Sequence, residues 1–231
     1  TLGRSNRPCN GDHRADIHQA GDVRGQLINF RETEMYKVIG GVKTRAFRVI
    51  WMLEELGQPF ELIPAGPRTD EAKAYNPTGK VPALMDDDEL LTDSVAIMQY
   101  LADKHGALTA PAGTIARARQ DAMTFWLIDE FDAILWATAK HNFVWPKEMR
   151  VPEIKPSLKA EFARSAKVLA YRLEGPFLMG DEITVPDLLA VHCLNWSIGA
   201  GFDPVDARLA EWASSLRKRD AYKATRAPDT A

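Results

Sequence analysis

A chain of 231 residues with 45% apolar and 26% charged side chains can build one large domain or two small ones around a full core. Its net charge of −3 supplies no basic excess for a nucleic-acid surface. No apolar run approaches the roughly 20 residues that span a bilayer, so a soluble protein with no membrane partner is expected.

Cys9 and Cys193 form neither a disulfide framework nor a CxxC pair, which fits a reducing, cytoplasmic setting. The five histidines are scattered, without HxxxH or Cys/His spacing. No metal site is expected, and His192, in an apolar helix-like stretch, reads as structural. Met35 is the first methionine. Residues 1–34 show no apolar period and no signal-peptide core, and are expected to be a disordered or non-native extension.

From Tyr36 the pattern becomes regular. Tyr36–Gly40 reads as a strand, and Thr44–Leu56 as a helix with Ala46, Val49, Ile50 and Leu53 on one stripe. Gly57 and Pro59 stop that helix, and Phe60–Ile63 is a second strand. Thr69 caps a short helix that begins with Asp70 and Glu71 and ends at Asn76-Pro77. Ala83–Asp86 and Leu90–Thr92 flank an acidic turn as a hairpin, and a helix follows from about Asp93 to Lys104. His105–Gly113, with three breakers, is a linker. Helices then cover about Ile115–His141, Pro156–Leu173, and a stretch opened by Thr184-Val185-Pro186-Asp187, where Thr184 and Asp187 make a box-like cap and Ile183 and Leu188 a staple. A last helix is expected over about Asp206–Arg217.

The order β-α-β-α-β-β-α, the stretch Asn76-Pro77-Thr78-Gly79-Lys80-Val81-Pro82-Ala83-Leu84 and the later Asp93-Ser94-Val95-Ala96-Ile97 together resemble the glutathione-binding half of the glutathione S-transferase family. The Thr184 helix start is similar to the capping motif of that family's helical domain. The resemblance implies a thioredoxin-like N-terminal domain over residues 35–105 and an all-α C-terminal domain over residues 114–231. It also implies a cis Val81-Pro82 bond that turns the Val81 N–H and C=O toward the cysteinyl unit of glutathione. Lys80 would assist at the glycine carboxylate, although a solvated lysine serves as well. Asp93 would pair the γ-glutamyl ammonium, with Ser94 and the free N–H groups of the helix start on its carboxylate. Asp and Ser are also ordinary helix-start residues, and the family more often has Glu where this chain has Asp93.

Attack on an electrophile requires the thiolate. Lowering a thiol pKa by about two units takes roughly 2.7 kcal/mol. A helix terminus supplies at most about 2 kcal/mol, whereas one hydrogen bond to the charged sulfur supplies about 1.5–3 kcal/mol. A donor beside the sulfur is therefore needed. The family takes it from Tyr, Ser or Cys after the first strand, and here the side-chain hydroxyl in Gly40–Arg48 is Thr44. Thr44 is either that donor or a plain helix cap, and Arg45 is a cationic alternative. The Ser-Ser-Cys cluster of maleylacetoacetate-isomerase-like members and the cysteine of the thiol reductases are missing. Phe125, Trp126, Trp136 and Trp145, with Asp121, Asp129 and Glu130 interleaved, line the first long helical region, most as core and some facing an acceptor pocket.

The resemblance implies a homodimeric detoxification enzyme that joins glutathione, as co-substrate, to a hydrophobic electrophile. Asp121 is the candidate for an interfacial contact to the neighbour's glutathione. A non-catalytic binding or interaction module, or a glutathione-dependent isomerase or dehalogenase, would share the same motifs.

Overall fold

The computed structural model describes residues 35–203 and 205–227, and these pack as one compact unit. The expected tail over residues 1–34 lies outside them. Strands β1 (Tyr36–Gly40), β2 (Phe60–Pro64), β3 (Ala83–Asp86) and β4 (Glu89–Thr92) form one sheet in the order β2-β1-β3-β4. β1 runs parallel to β2 and antiparallel to β3, and β3 pairs antiparallel with β4. The hairpin between β3 and β4 is tighter than expected, because Glu89 joins the strand and Asp87 takes a positive φ of 54° to turn the chain. With helices α1 (Ala46–Leu56), α2 (Asp70–Tyr75) and α3 (Ser94–His105) this is the expected thioredoxin-like unit.

α1 starts with the apolar stripe at Ala46, two residues after the expected Thr44. Thr44 stays in the loop, where its Oγ1 accepts the Ala46 N–H at 3.1 Å. Every residue from Ala46 to Leu53 is buried, because the helix packs against the sheet, α3, α7 (Val185–Gly199) and α9 (Asp220–Arg226) at once. Full burial of each large apolar side chain contributes about 1.5–3 kcal/mol, and Trp51, Ile50 and Leu53 lie at that limit.

The region after the linker is helical, as expected, with internal corrections. α4 (Ile115–Leu127) passes into a π-helical stretch, Ile128–Ala133, then α5 (Ile134–Ala139) and a second π stretch, Lys140–Val144. A π turn inserts one residue into the helical repeat, and here both Phe131 and Asp132 turn inward. α6 (Lys155–Arg172) and α7 fall where the sequence places them. The single expected last helix is instead a pair, α8 (Ala207–Leu216) and α9. α9 docks on α1 through Tyr222, whose ring meets Phe47 and Trp51 at 5.4 and 5.0 Å. Arg219 just ahead of it grips Glu55 with two bonds of 2.7 Å.

The start of α7 has the expected reciprocal cap. Asp187 Oδ2 accepts from the Thr184 N–H and hydroxyl at 2.8 and 2.9 Å, and Oδ1 accepts from the Leu178 N–H at 2.8 Å. Among the described residues no helix is long and apolar enough to cross a membrane.

Candidate functional site

Three segments meet at one end of the sheet because the strand register puts them there. Ile39 pairs with Ala83, and Ala83 pairs with Thr92. Gly40 leaving β1, Pro82 entering β3 and Asp93 leaving β4 therefore emerge side by side. A methyl group on Gly40 would sit 2.5 Å from Ala46 Cβ, 3.5 Å from Val81 Cβ and 3.7 Å from Thr44 Oγ1. Only a residue without Cβ lets the strand end pass this close to Ala46, and its φ of 149° also favours glycine, so glycine at position 40 is a packing requirement. The Val81-Pro82 bond is cis.

Asp93 is exposed and caps α3. Its Oδ1 accepts from the N–H groups of both Val95 and Ala96, at 2.9 and 3.1 Å. The expectation of free N–H groups at this helix start is corrected accordingly, since Asp93 itself occupies two of them. Its φ of 70° with ψ of 121° is rare for a residue with a side chain, and such strain gathers at functional positions. Ser94 is buried, and its Oγ accepts from Arg48 Nη1 at 3.1 Å.

Arg48 is the residue that the periodicity missed. It is only 1% exposed, yet it finds four partners from other elements. Besides Ser94, its Nε donates to His192 Nδ1 at 3.1 Å, and its Nη2 donates to Asp132 Oδ2 and to Cys193 Sγ. Asp132 also takes two bonds from Arg45. Burial alone would push the Asp132 carboxyl up, but the two guanidiniums outweigh it and hold it at about 2. Burial and the adjoining Arg48 hold His192 well below the ordinary histidine range, so its ring is neutral at physiological pH. Burial pushes the Cys193 thiol up to about 12, which leaves it unreactive.

Arg45 is committed too. Its guanidinium lies between the Trp136 and Trp196 rings, 5.0 and 4.8 Å from their centroids, while it grips Asp132. It does not serve as a free cation at the loop. The Thr44 hydroxyl donates to the Gly41 carbonyl at 2.8 Å while accepting from Ala46.

Comparison with known proteins fits this geometry. The family model described as glutathione S-transferase, N-terminal domain, matches residues 46–110. Glutathione S-transferase theta-1 of Homo sapiens is 32% identical over 169 residues, or 67% of this chain and 70% of its own length. The chain belongs to the glutathione S-transferase family. Glutathione S-transferase GstA of Escherichia coli O157:H7 is 28% identical over 193 residues, covering 74% of this chain and 90% of its own. A theta class enzyme from Xanthomonas axonopodis pv. citri, solved with glutathione bound, shares the fold with a TM-score of 0.69 at 23% identity. That match covers 83% of this chain and 97% of that one.

The remaining expected residues of this transferase-family chain divide by exposure. Lys80 is exposed, and its backbone carbonyl accepts from Asn76 Nδ2 at 3.1 Å. Asp121 accepts from Arg117 Nε at 2.8 Å, and Arg117 also clasps Asp103 on α3. Trp126 and Trp136 are half-buried, whereas Phe125 is 68% exposed and faces outward rather than into the core. Among the described residues no cluster of three or more His, Cys, Asp or Glu groups could hold a metal.

Proposed function

We propose that this chain is a glutathione transferase that joins the glutathione thiolate to a hydrophobic electrophile. The observation that carries this reading is the convergence of Gly40, Thr44, Val81-Pro82 and Asp93 at one sheet end of a transferase-family fold. Val81 pairs with the cysteinyl backbone, and the carboxylate of Asp93 pairs with the γ-glutamyl ammonium. Ser94 receives the γ-glutamyl carboxylate, and Lys80 lies within reach of the glycine end. The thiol gives up its proton to solvent water. The sulfur lone pair then forms the new C–S bond to the electrophilic carbon as the leaving group departs with the electrons of its own bond to that carbon. Thr44 supplies the hydrogen bond to sulfur. It can turn its proton from Gly41 without leaving that carbonyl bare, because the Thr44 N–H also donates to Gly41 O at 2.9 Å. By the same analogy with its relatives, the chain works as a cytoplasmic homodimer in detoxification, with residues 35–105 binding glutathione and residues 114–231 supplying the acceptor side.

One observation favours a second reading. The Thr44 hydroxyl is fully engaged within its own loop, as a plain cap would be. This fits a non-catalytic glutathione-binding module. Ultraviolet difference titration of protein-bound glutathione from pH 5 to 9 separates the two. A thiol midpoint well below that of free glutathione, restored toward it by Thr44→Ala, is expected for the transferase. A bound thiol that titrates as in water would hand the function to the module. Turnover of an aryl halide, an alkyl halide and an epoxide with product analysis then distinguishes conjugation from isomerisation or dehalogenation.

A further inference from the structure

A buried arginine in one domain and a hydroxyl at the start of a helix in the same domain are joined here in a way that the fold alone does not demand. Arg48 donates to Ser94 Oγ at 3.1 Å, so the Ser94 oxygen is already an acceptor and its own proton is left to be given away. Ser94 is only 3% exposed, which leaves its side chain little room to choose another orientation. The guanidinium is itself fixed on its other sides. Asp132 from the π stretch takes Nη2, and His192 from α7 takes Nε. The planar fork of Arg48 thus ties Ser94 on α3 to the π stretch and to α7 at once. A lysine could neutralise Asp132 but could not reach Ser94 and His192 together.

We infer that Arg48 is a positioning residue for the γ-glutamyl subsite, acting through Ser94 by holding that hydroxyl as a donor toward the incoming carboxylate. This rests on the glutathione reading above. Arg48 does not touch the ligand. It removes the rotational choice from Ser94, and Asp132 balances the buried Arg48 charge and holds the guanidinium in place.

The test compares two ligands by titration calorimetry: glutathione, and 4-aminobutyryl-cysteinylglycine, which lacks the γ-glutamyl α-carboxylate. The wild type should prefer glutathione by about tenfold or more, the value of one hydrogen bond to a charged group. Arg48→Lys should reduce that preference to the level seen in Ser94→Ala, and the double variant should fall no further. Equal weakening of both ligands by Arg48→Lys, with the preference intact, would show a merely structural role and overturn the inference. A double variant with a lower preference than Ser94→Ala would also overturn it, since Arg48 would then act by another route. If Arg48→Lys shows no thermal unfolding transition, Arg48→Gln takes its place under the same criterion. A wild type that binds neither peptide refutes the glutathione reading itself, a result distinct from binding with an unchanged preference.

Discussion

Asp93 caps α3 and Asp187 caps the first turn of α7, and these two caps differ in every respect that separates structure from function. Asp187 is fully buried, and both its oxygens are taken by Leu178 and Thr184. Burial pushes its carboxyl up to about 6 against the pull of those donors. Asp93 is exposed, bent into a positive φ, and gives a single oxygen, Oδ1, to both the Val95 and the Ala96 N–H groups. A cap with nothing left over can only hold the fold together. A strained cap with an oxygen to spare can meet a ligand.

The sharpest way to break this comparison is to remove each cap in turn. Asp187→Ala leaves three buried donors without an acceptor, at about 1–3 kcal/mol apiece before relaxation. A loss of about 3–5 kcal/mol is expected, read as a lower denaturant midpoint at unchanged slope. The next largest effect belongs to Asp132. Its folded pKa of about 2 lies below the unfolded value of 3.8. Its contribution is thus fully present above about pH 4 and is lost as the pH falls toward 2. By the conversion of about 1.4 kcal/mol per pKa unit, this amounts to about 2–3 kcal/mol. Denaturation series between pH 2 and 5 should show that decline, and Asp132→Asn should flatten it. A wild-type slope unchanged in Asp132→Asn would assign the decline to other carboxylates.

Asp93→Asn should act in the opposite way to Asp187→Ala. Asparagine caps as well as aspartate and tolerates positive φ, so the melting temperature should hold. Glutathione affinity should fall about tenfold as the ammonium loses its charged partner. Calorimetry that finds the affinity intact would reduce Asp93 to a cap like any other.

Much of this contrast was legible in the sequence, for physical reasons that can be traced residue by residue. Thr184-Val185-Pro186-Asp187 encodes its cap locally, within one turn, and the structure follows it. Val81-Pro82 and Asp93-Ser94 are also local signals, and strand register then brings them together. Arg48 was not legible as part of a site. On a helix that buries one stripe it would face solvent, but α1 is buried all round, and a single charge inside the otherwise apolar run Ala46–Leu53 was the available clue. Asp132 was hidden by the π stretch, since periodicity counts in steps of 3.6 and a π turn changes the count. α9 was missed because Asp-Ala-Tyr-Lys-Ala-Thr-Arg carries little apolar pattern. Its place is set by Tyr222 docking on Phe47 and Trp51, a tertiary contact that no local window contains.

The smallest effects are expected where a second arginine network repeats the chemistry of the first nearer to solvent. Arg117 joins Asp103 and Asp121 much as Arg48 and Arg45 join at Asp132, but both its carboxylates are more than a third exposed. Arg117→Ala should therefore cost less than about 1 kcal/mol, and less still in molar salt. Asp121→Asn tests whether that exposure has a use. In a homodimer where Asp121 reaches the neighbour's glutathione, its loss should weaken binding by about two- to fivefold, the range of an exposed charge pair, without moving the melting temperature. The effect should vanish at protein concentrations low enough to separate the subunits. Affinity unchanged at every concentration would leave Asp121 as a partner of Arg117 alone, and the exposed network, like the Asp187 cap, would then serve the fold and not the ligand.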